Sequence, residues 1–178
     1  IIPHKQSGLS VMHYDSTKND YHEWKETKDI RTVFWVMSKK AGNSGSCLSH
    51  PSVYHFYSNG DKFWHPQYTH KHIREGRLRI NGIVGGSNTN YPTTLSVVSL
   101  RTTGNVTASR LGKDRGFDAK YNWDGEIGEL IVYSDSLPYA DVEKVENYLM
   151  SKWKIEGKPT TLGTPLAYLS FDDRAGNR

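Results

Sequence analysis

The stretch that decides the fold is DGEIGELIVY, residues 124–133. It ends in a continuous apolar run, which is typical of a buried strand. After a short polar interval, Val142, Val145, Leu149 and Trp153 recur at steps of three and four residues. This spacing places them on one face of a helix and predicts an amphipathic helix over about 138–153. The stretch therefore predicts a buried strand, a turn and a helix that packs on the sheet.

Working outward, the rest of the chain alternates short apolar segments with turn residues, which predicts strands. Residues 30–38 are apolar on both faces and are expected to form a central strand. Asn59-Gly60 and Asn81-Gly82 predict two hairpins, joining 53–57 to 62–65 and 77–80 to 83–84. Further strands are expected at 95–100, 106–111 and 126–133. The spacing predicts an all-β, two-sheet antiparallel sandwich with one short helix near 138–153.

Several of these segments resemble motifs of the laminin G-like, concanavalin A-like lectin and glucanase domains. The strand and loop at 11–21, the inner strand at 32–36 and the hairpin at 77–82 occur in the family's order, and 124–154 is similar to its closing strand and helix. The resemblance implies a jelly-roll sandwich that binds sugars or proteins. It also implies a module of a larger protein that is secreted or displayed at the cell surface, next to neighbouring domains.

The two ends of the chain depart from the family's order. The family's usual first strand resembles residues 166–177 of this chain, at the far end. We expect a single domain over 1–178, in which 165–173 either supplies a permuted first strand or begins a next repeat. Both alternatives stay open from the sequence.

Composition excludes several classes of protein. The chain has 178 residues and a formal net charge of +4, which does not by itself indicate a nucleic-acid partner. The single cysteine, Cys47, cannot form an intrachain disulfide. No apolar run is long enough to predict a membrane span.

Cationic residues concentrate in one ten-residue segment, 70–79, which follows several aromatic residues. Guanidinium groups match sulfate or carboxylate in a bidentate manner, and aromatic rings stack on sugars. We therefore expect a polysaccharide-binding surface, with anionic or sulfated polysaccharides among its ligands, formed by Arg77, Arg79, Arg74, Lys71, Trp64, Tyr57 and Tyr68. The alternative is a solvated strand edge whose charges oppose aggregation. The long Gly/Asn/Ser-rich loops at 41–46, 85–94 and 112–122 are expected to contribute to any binding surface.

Metal binding and catalysis are weaker hypotheses. The resemblance implies calcium in loops, for which Asp15, Asn19 and Asp20 form one candidate group. Those residues are more typical of solvated loop acids and turn formers. Jelly-roll glycosidases place their acidic residues at alternate positions of one strand so that all face the cleft, but strand alternation sets Glu129 on the face opposite Asp124 and Glu126. We expect a non-catalytic carbohydrate-binding module, with a structural spacer or adhesion module as the alternative and a glycosidase or lyase third.

Overall fold

The computed structural model describes residues 1–3, 7–53, 56–115 and 121–157. Within them the chain is mostly β, with a short 3-10 helix at Ser16–Lys18. The strands and α-helices, in chain order, are β1 Ile2–Pro3, β2 Ser10–Tyr14, β3 His22–Lys39, α1 Lys71–Arg74, β4 Arg77–Ile80, β5 Ile83–Gly85, β6 Ser96–Leu111, β7 Gly125–Tyr133 and α2 Tyr139–Trp153.

The strands form one seven-stranded antiparallel sheet in the order β1-β2-β7-β3-β6-β4-β5. β3 lies at the centre, between β7 and β6, and residues 33–37 are fully buried. The predictions of a doubly covered central strand and of the β4–β5 hairpin are confirmed. The two segments expected at 95–100 and 106–111 belong to a single long strand, β6. Register shifts in its pairing with β3 accommodate that length.

Residues 124–133 contact α2 chiefly through Gly128, Glu129 and Trp153. Gly128 lies beneath the indole of Trp153, and a Cβ at Gly128 would come 2.5 Å from the ring. Trp153 Nε1 donates a hydrogen bond to Glu129 Oε1 at 2.7 Å. Val142, Leu149 and Trp153 pack with apolar residues of β3 and β6, as the helical spacing predicted. The strand–turn–helix prediction is confirmed, and α2 covers one face of the sheet.

The opposite face is covered by the described residues of segment 40–76, which form the short helix α1 but no strand. Phe56, Phe63, Trp64 and Ile73 from this segment pack with the buried side chains of the sheet, including Trp35. Phe56 contacts Trp35 edge-on, with ring centroids 6.3 Å apart. Asn59 and Lys62 exchange backbone hydrogen bonds in a turn. The described residues on either side of this turn form no strand, so the first predicted hairpin is wrong there.

Two larger expectations are not confirmed by these observations. The sequence predicted a sandwich of two sheets, whereas the described residues form a single sheet covered by α2 and by segment 40–76. The segment 165–173, expected as a permuted or next-repeat strand, lies outside the described residues. Among the residues that are described, neither α-helix has the length and apolar character required to cross a membrane.

Candidate functional site

A cleft of about 430 Å³ opens at the edge of the sheet where β3 ends and β7 begins. Loop 40–44 forms one wall, and Ser16, Tyr121 and Asp124 form the other. The cleft therefore lies between a Gly/Asn/Ser-rich loop and the start of the stretch that decides the fold.

Loop 40–44 is held in place by hydrogen bonds across the cleft base. Lys40 N donates to Asp124 O at 2.8 Å, and Asn43 Nδ2 donates to Asn122 O at 3.0 Å. Gly42 has a φ of 79°, which favours glycine, and its N–H donates to Asp61 Oδ1 at 2.7 Å. The loop is therefore tied to two neighbouring segments, and its conformation is preorganised.

The polar groups of the cleft are of mixed character. Asp124 is largely buried, and its Oδ2 accepts hydrogen bonds from Ser16 Oγ at 3.2 Å and Lys40 Nζ at 3.1 Å. Lys40 itself is well exposed, with a side chain 69% accessible. Carboxylate, ammonium and hydroxyl groups together both donate and accept hydrogen bonds, which suits a ligand rich in hydroxyl groups.

An aromatic cluster, formed by Tyr57, His65, Tyr68 and Tyr121, adjoins this cleft. Tyr121 belongs to the cleft wall, and its ring centroid lies 5.9 Å from that of Tyr57. Tyr57 contacts Tyr68 edge-on at 5.8 Å, and Tyr68 stacks on His65 at 4.4 Å. Tyr68 is 50% exposed. Burial first, and a hydrogen bond to Tyr121 second, raise the pKa of Tyr57 to about 12, so its hydroxyl stays neutral.

The structure places four residues of the sequence-predicted surface near this cluster. Tyr57 and Tyr68 belong to it. Lys71 and Arg74 lie on α1, which begins just after Tyr68, and both are exposed. Arg74 Nε donates a hydrogen bond to Thr69 O at 3.0 Å, which holds its stem beside the same turn.

The other three predicted residues lie elsewhere. Trp64 is 2% exposed and packs against Phe56 and Phe63, because segment 40–76 covers one face of the sheet. Arg79 is 6% exposed beneath α2, where it pairs with Glu146. Neither side chain reaches the surface, so neither contributes to a ligand-binding surface in this fold. Arg77 is exposed, at the end of the sheet away from the cleft.

The candidate calcium residues form a compact turn. Asp15 accepts hydrogen bonds from Thr17 N at 3.0 Å and from Thr17 Oγ1 at 2.6 Å, and so caps the 3-10 helix. These bonds, followed by Lys18, hold the pKa of Asp15 below its usual value. Asn19 ends the helix at a φ of 56°. Among the described residues, no three His, Cys, Asp or Glu side chains converge on a common point.

Sequence reasoning missed Tyr121, Asp124 and Ser16 as members of one cleft. The available signal was the loop composition, since 41–46 and 112–122 had both been singled out as binding loops. The acidic residues considered for catalysis lie on different sides of the sheet. Glu129 accepts a hydrogen bond from Trp153 and pairs with Lys152 on the α2 side, whereas Asp124 lines the cleft.

Comparison with protein-family models, with curated proteins and with solved structures gave no match for this chain. Any functional assignment therefore depends on the geometry of the cleft and its surroundings. The cleft and the aromatic cluster together offer a polar floor and an exposed ring in one continuous surface. This combination is typical of surfaces that hold a sugar ring by its hydroxyl groups and its apolar face.

Proposed function

We propose that the chain is a non-catalytic carbohydrate-binding module. In this proposal its sheet is part of a laminin G-like, concanavalin A-like β-sandwich, and the module belongs to a larger protein that is secreted or held at the cell surface. The fold proposal is supported by the order of the sequence motifs and by the central antiparallel sheet with α2 on one face. Function does not follow from fold, so the carbohydrate proposal depends on the cleft and on the aromatic cluster beside it.

The observation that carries the proposal is the continuity of the cleft with the aromatic cluster. Tyr121 is a member of both, and Tyr57 connects it to the half-exposed ring of Tyr68. A polysaccharide lying over this surface would meet Asp124 and Lys40 with its hydroxyl groups and Tyr68 with an apolar ring face. Such an extended contact suits a polymer better than a small buried ligand, because the cleft is open along one side.

Anionic polysaccharides are included in the proposed ligand class. Lys71 and Arg74 are both exposed on α1, immediately after Tyr68 in the chain. A sulfate or carboxylate on a sugar stacked against Tyr68 would lie close to these cations. Exposed charges of this kind mainly increase the association rate and the dependence on salt.

Affinity electrophoresis through gels containing neutral or sulfated polysaccharides tests the proposal. Tyr68→Ala is expected to weaken retention about tenfold, equivalent to ~1.4 kcal/mol of lost stacking. Tyr148→Ala is the matched control, because Tyr148 is an exposed tyrosine on α2, away from the cleft. Lys71→Ala combined with Arg74→Ala is expected to weaken retention by the sulfated gel only. Equal losses in Tyr68→Ala and Tyr148→Ala would contradict the assignment of the site.

A structural spacer or adhesion module is the second candidate. The burial of Trp64 and the pairing of Arg79 with Glu146 favour it, since both residues serve packing where the sequence had suggested ligand contact. A folded protein that is retained by none of the polysaccharides would support the spacer. Release of reducing or unsaturated sugar ends during the same incubations would instead support the third candidate, a glycosidase or lyase.

A further inference from the structure

Two arginines face each other at the end of the sheet remote from the cleft. Arg77 of β4 is directly opposite Arg101 of β6 in the antiparallel register. The next pair on the same face is Arg79 and Ser99, both of which bond Glu146 under α2. Because side chains alternate along a strand, Arg77 and Arg101 share that face too.

The two pairs differ in their counter-charges. Arg79 has a carboxylate 2.9 Å away, whereas Arg77 forms no ion pair within 4.0 Å among the described residues. Arg101 makes one side-chain hydrogen bond there, from Nη2 to Ser136 Oγ at 3.4 Å. Like charges directly across a strand pair are destabilising. The arrangement therefore favours an anion between the two arginines, because among the described residues the one carboxylate at the same cleft, that of Glu75, forms no ion pair with either of them.

One donor in this pair is buried and unused. Arg101 Nε has no hydrogen-bond partner and is shielded from solvent. A buried donor without an acceptor is costly. This cost adds to that of holding two guanidinium groups opposite each other.

The space for such a ligand is a cleft of about 180 Å³ between the arginines, with Ser136 and Thr103 at its sides. This volume is well above the ~10–15 Å³ that one buried water requires, and it is enough for a sulfate group. Glu75 also lies at the cleft, and it is exposed. Its carboxylate opposes an incoming anion and competes for Arg77.

We propose that the Arg77–Arg101 cleft is an oxoanion site that takes a sulfate group, either as the free ion or as a substituent on a polysaccharide. The planar guanidinium groups donate N–H bonds to its oxygens, and the Ser136 hydroxyl is a further donor. The site is separate from the cleft of the sugar-binding proposal, about seven strand residues or ~23 Å along β3. It does not depend on that proposal.

The test follows the arginine Nε–H resonances of the ¹⁵N-labelled chain during titration with sodium sulfate, with sodium chloride replaced to keep ionic strength constant. The Arg101 resonance is expected to shift and saturate in the millimolar range. Arg77→Gln is expected to weaken this binding at least tenfold, whereas Glu75→Gln is expected to strengthen it. Lys144→Gln is the control, because it removes one positive charge from an exposed side chain on α2 that does not line the cleft.

The source of the sulfate group is resolved by a second titration, with dextran sulfate against unsulfated dextran. Tighter binding per sulfate from the polymer than from the inorganic ion identifies the polysaccharide as the source, and the reverse order identifies the free ion. Shifts that never saturate, or equal weakening by Arg77→Gln and Lys144→Gln, would overturn the site. Because inorganic sulfate contains no sugar, failure here is distinct from failure of the carbohydrate proposal.

Discussion

Among the described residues, each face of the sheet buries the side chain of one lysine or arginine. The two cations differ in the groups that surround them. Under α2, the guanidinium of Arg79 lies 2.9 Å from Glu146 and 3.6 Å from Glu143, with Tyr139 Oη at 2.5 Å. Under segment 40–76, the Lys39 ammonium has no carboxylate within 4.0 Å among the described residues. Lys39 Nζ donates to Gly60 O at 2.8 Å and lies 4.2 Å from the Tyr91 ring centroid.

The difference shows in the proton affinity of each group. Burial disfavours the charge of Arg79, but the hydrogen bonds and charge of Glu146 outweigh it and raise the pKa. Burial lowers the pKa of Lys39 to about 7, and Cys47 and Asp61 offset only part of that effect. A regular helix can place a carboxylate at a fixed position above the sheet, whereas the irregular segment supplies a carbonyl and aromatic rings.

The largest expected effect comes from removing the carboxylate on the α2 face. Glu146→Ala leaves Arg79 and Ser99 buried without their partner, and we expect a loss of about 3–5 kcal/mol in the free energy of unfolding, measured by urea denaturation. Glu143→Ala is the control, because Glu143 is half-exposed and more distant, and it should cost about 1 kcal/mol or less.

A double substitution sharpens the same comparison. Arg79→Met with Glu146→Leu removes both charges, and should recover most of the stability lost in Glu146→Ala, since apolar pairs replace buried ion pairs well. If Glu146→Ala by itself costs less than about 1 kcal/mol, the buried pair does not stabilise this face in the way described.

The free energy of unfolding should depend on pH because of Lys39. Its folded pKa of about 7 lies below the unfolded value of 10.5, so the unfolded chain binds more protons between these values and stability rises with pH. We expect a rise on the order of 1 kcal/mol from about pH 7.5 to about pH 8.5, measured by denaturation at each pH. Lys39→Met should remove this slope. Lys40→Met, at the exposed neighbouring lysine, should keep it.

At higher pH, the buried Cys47 thiol and Tyr14 hydroxyl have the opposite effect on the free energy of unfolding. They set the highest pH at which the effect of Lys39 can be measured. Burial raises the pKa of Cys47 from 9.0 to about 11 and that of Tyr14 from 10.0 to about 12. The unfolded chain therefore loses these protons first, and stability falls with rising pH above about pH 9. A flat profile in the native protein across the lower window would contradict a neutral, buried Lys39.

The smallest effect is expected at the exposed cation. Arg77→Gln relieves the like-charge contact with Arg101, so in chloride at low ionic strength it should raise the free energy of unfolding by about 0.2–1 kcal/mol. Thermal unfolding measures this, and adding sulfate should reverse the order by stabilising the native protein only. A loss above about 1 kcal/mol in chloride would show that Arg77 already has a stabilising partner.

Local sequence patterns were sufficient for elements that bury a regular face. The spacing of Val142, Leu149 and Trp153 predicted α2, and the apolar run at 33–37 predicted the central strand, because each pattern has only one way to bury its apolar side. Segment 53–65 contains strand-like residues, but those that the structure describes form no strand. There, Phe56, Phe63 and Trp64 are buried by contacts with the sheet that no local pattern shows.

The candidate site was predicted only in part, because local patterns identify residue types but not the long-range contacts that bring residues together. Tyr57 and Tyr68 were named from composition, and the binding loops from their glycine and asparagine content. Asp124, Ser16 and Tyr121 meet only because β2 and β7 pair and loop 40–44 folds across their ends. The Arg77–Arg101 contact likewise depends on the register between β4 and β6.

By itself the sequence determined the β-rich class, the central strand and the strand–turn–helix unit, since those follow from the periodicity of apolar residues along a short stretch. Tertiary structure decided which cations are buried, paired or exposed. Arg77 and Arg79 lie two residues apart on one strand face and are chemically identical in the sequence. Only the position of α2, which places Glu146 against Arg79 and not against Arg77, makes one a packing residue and the other a candidate ligand contact.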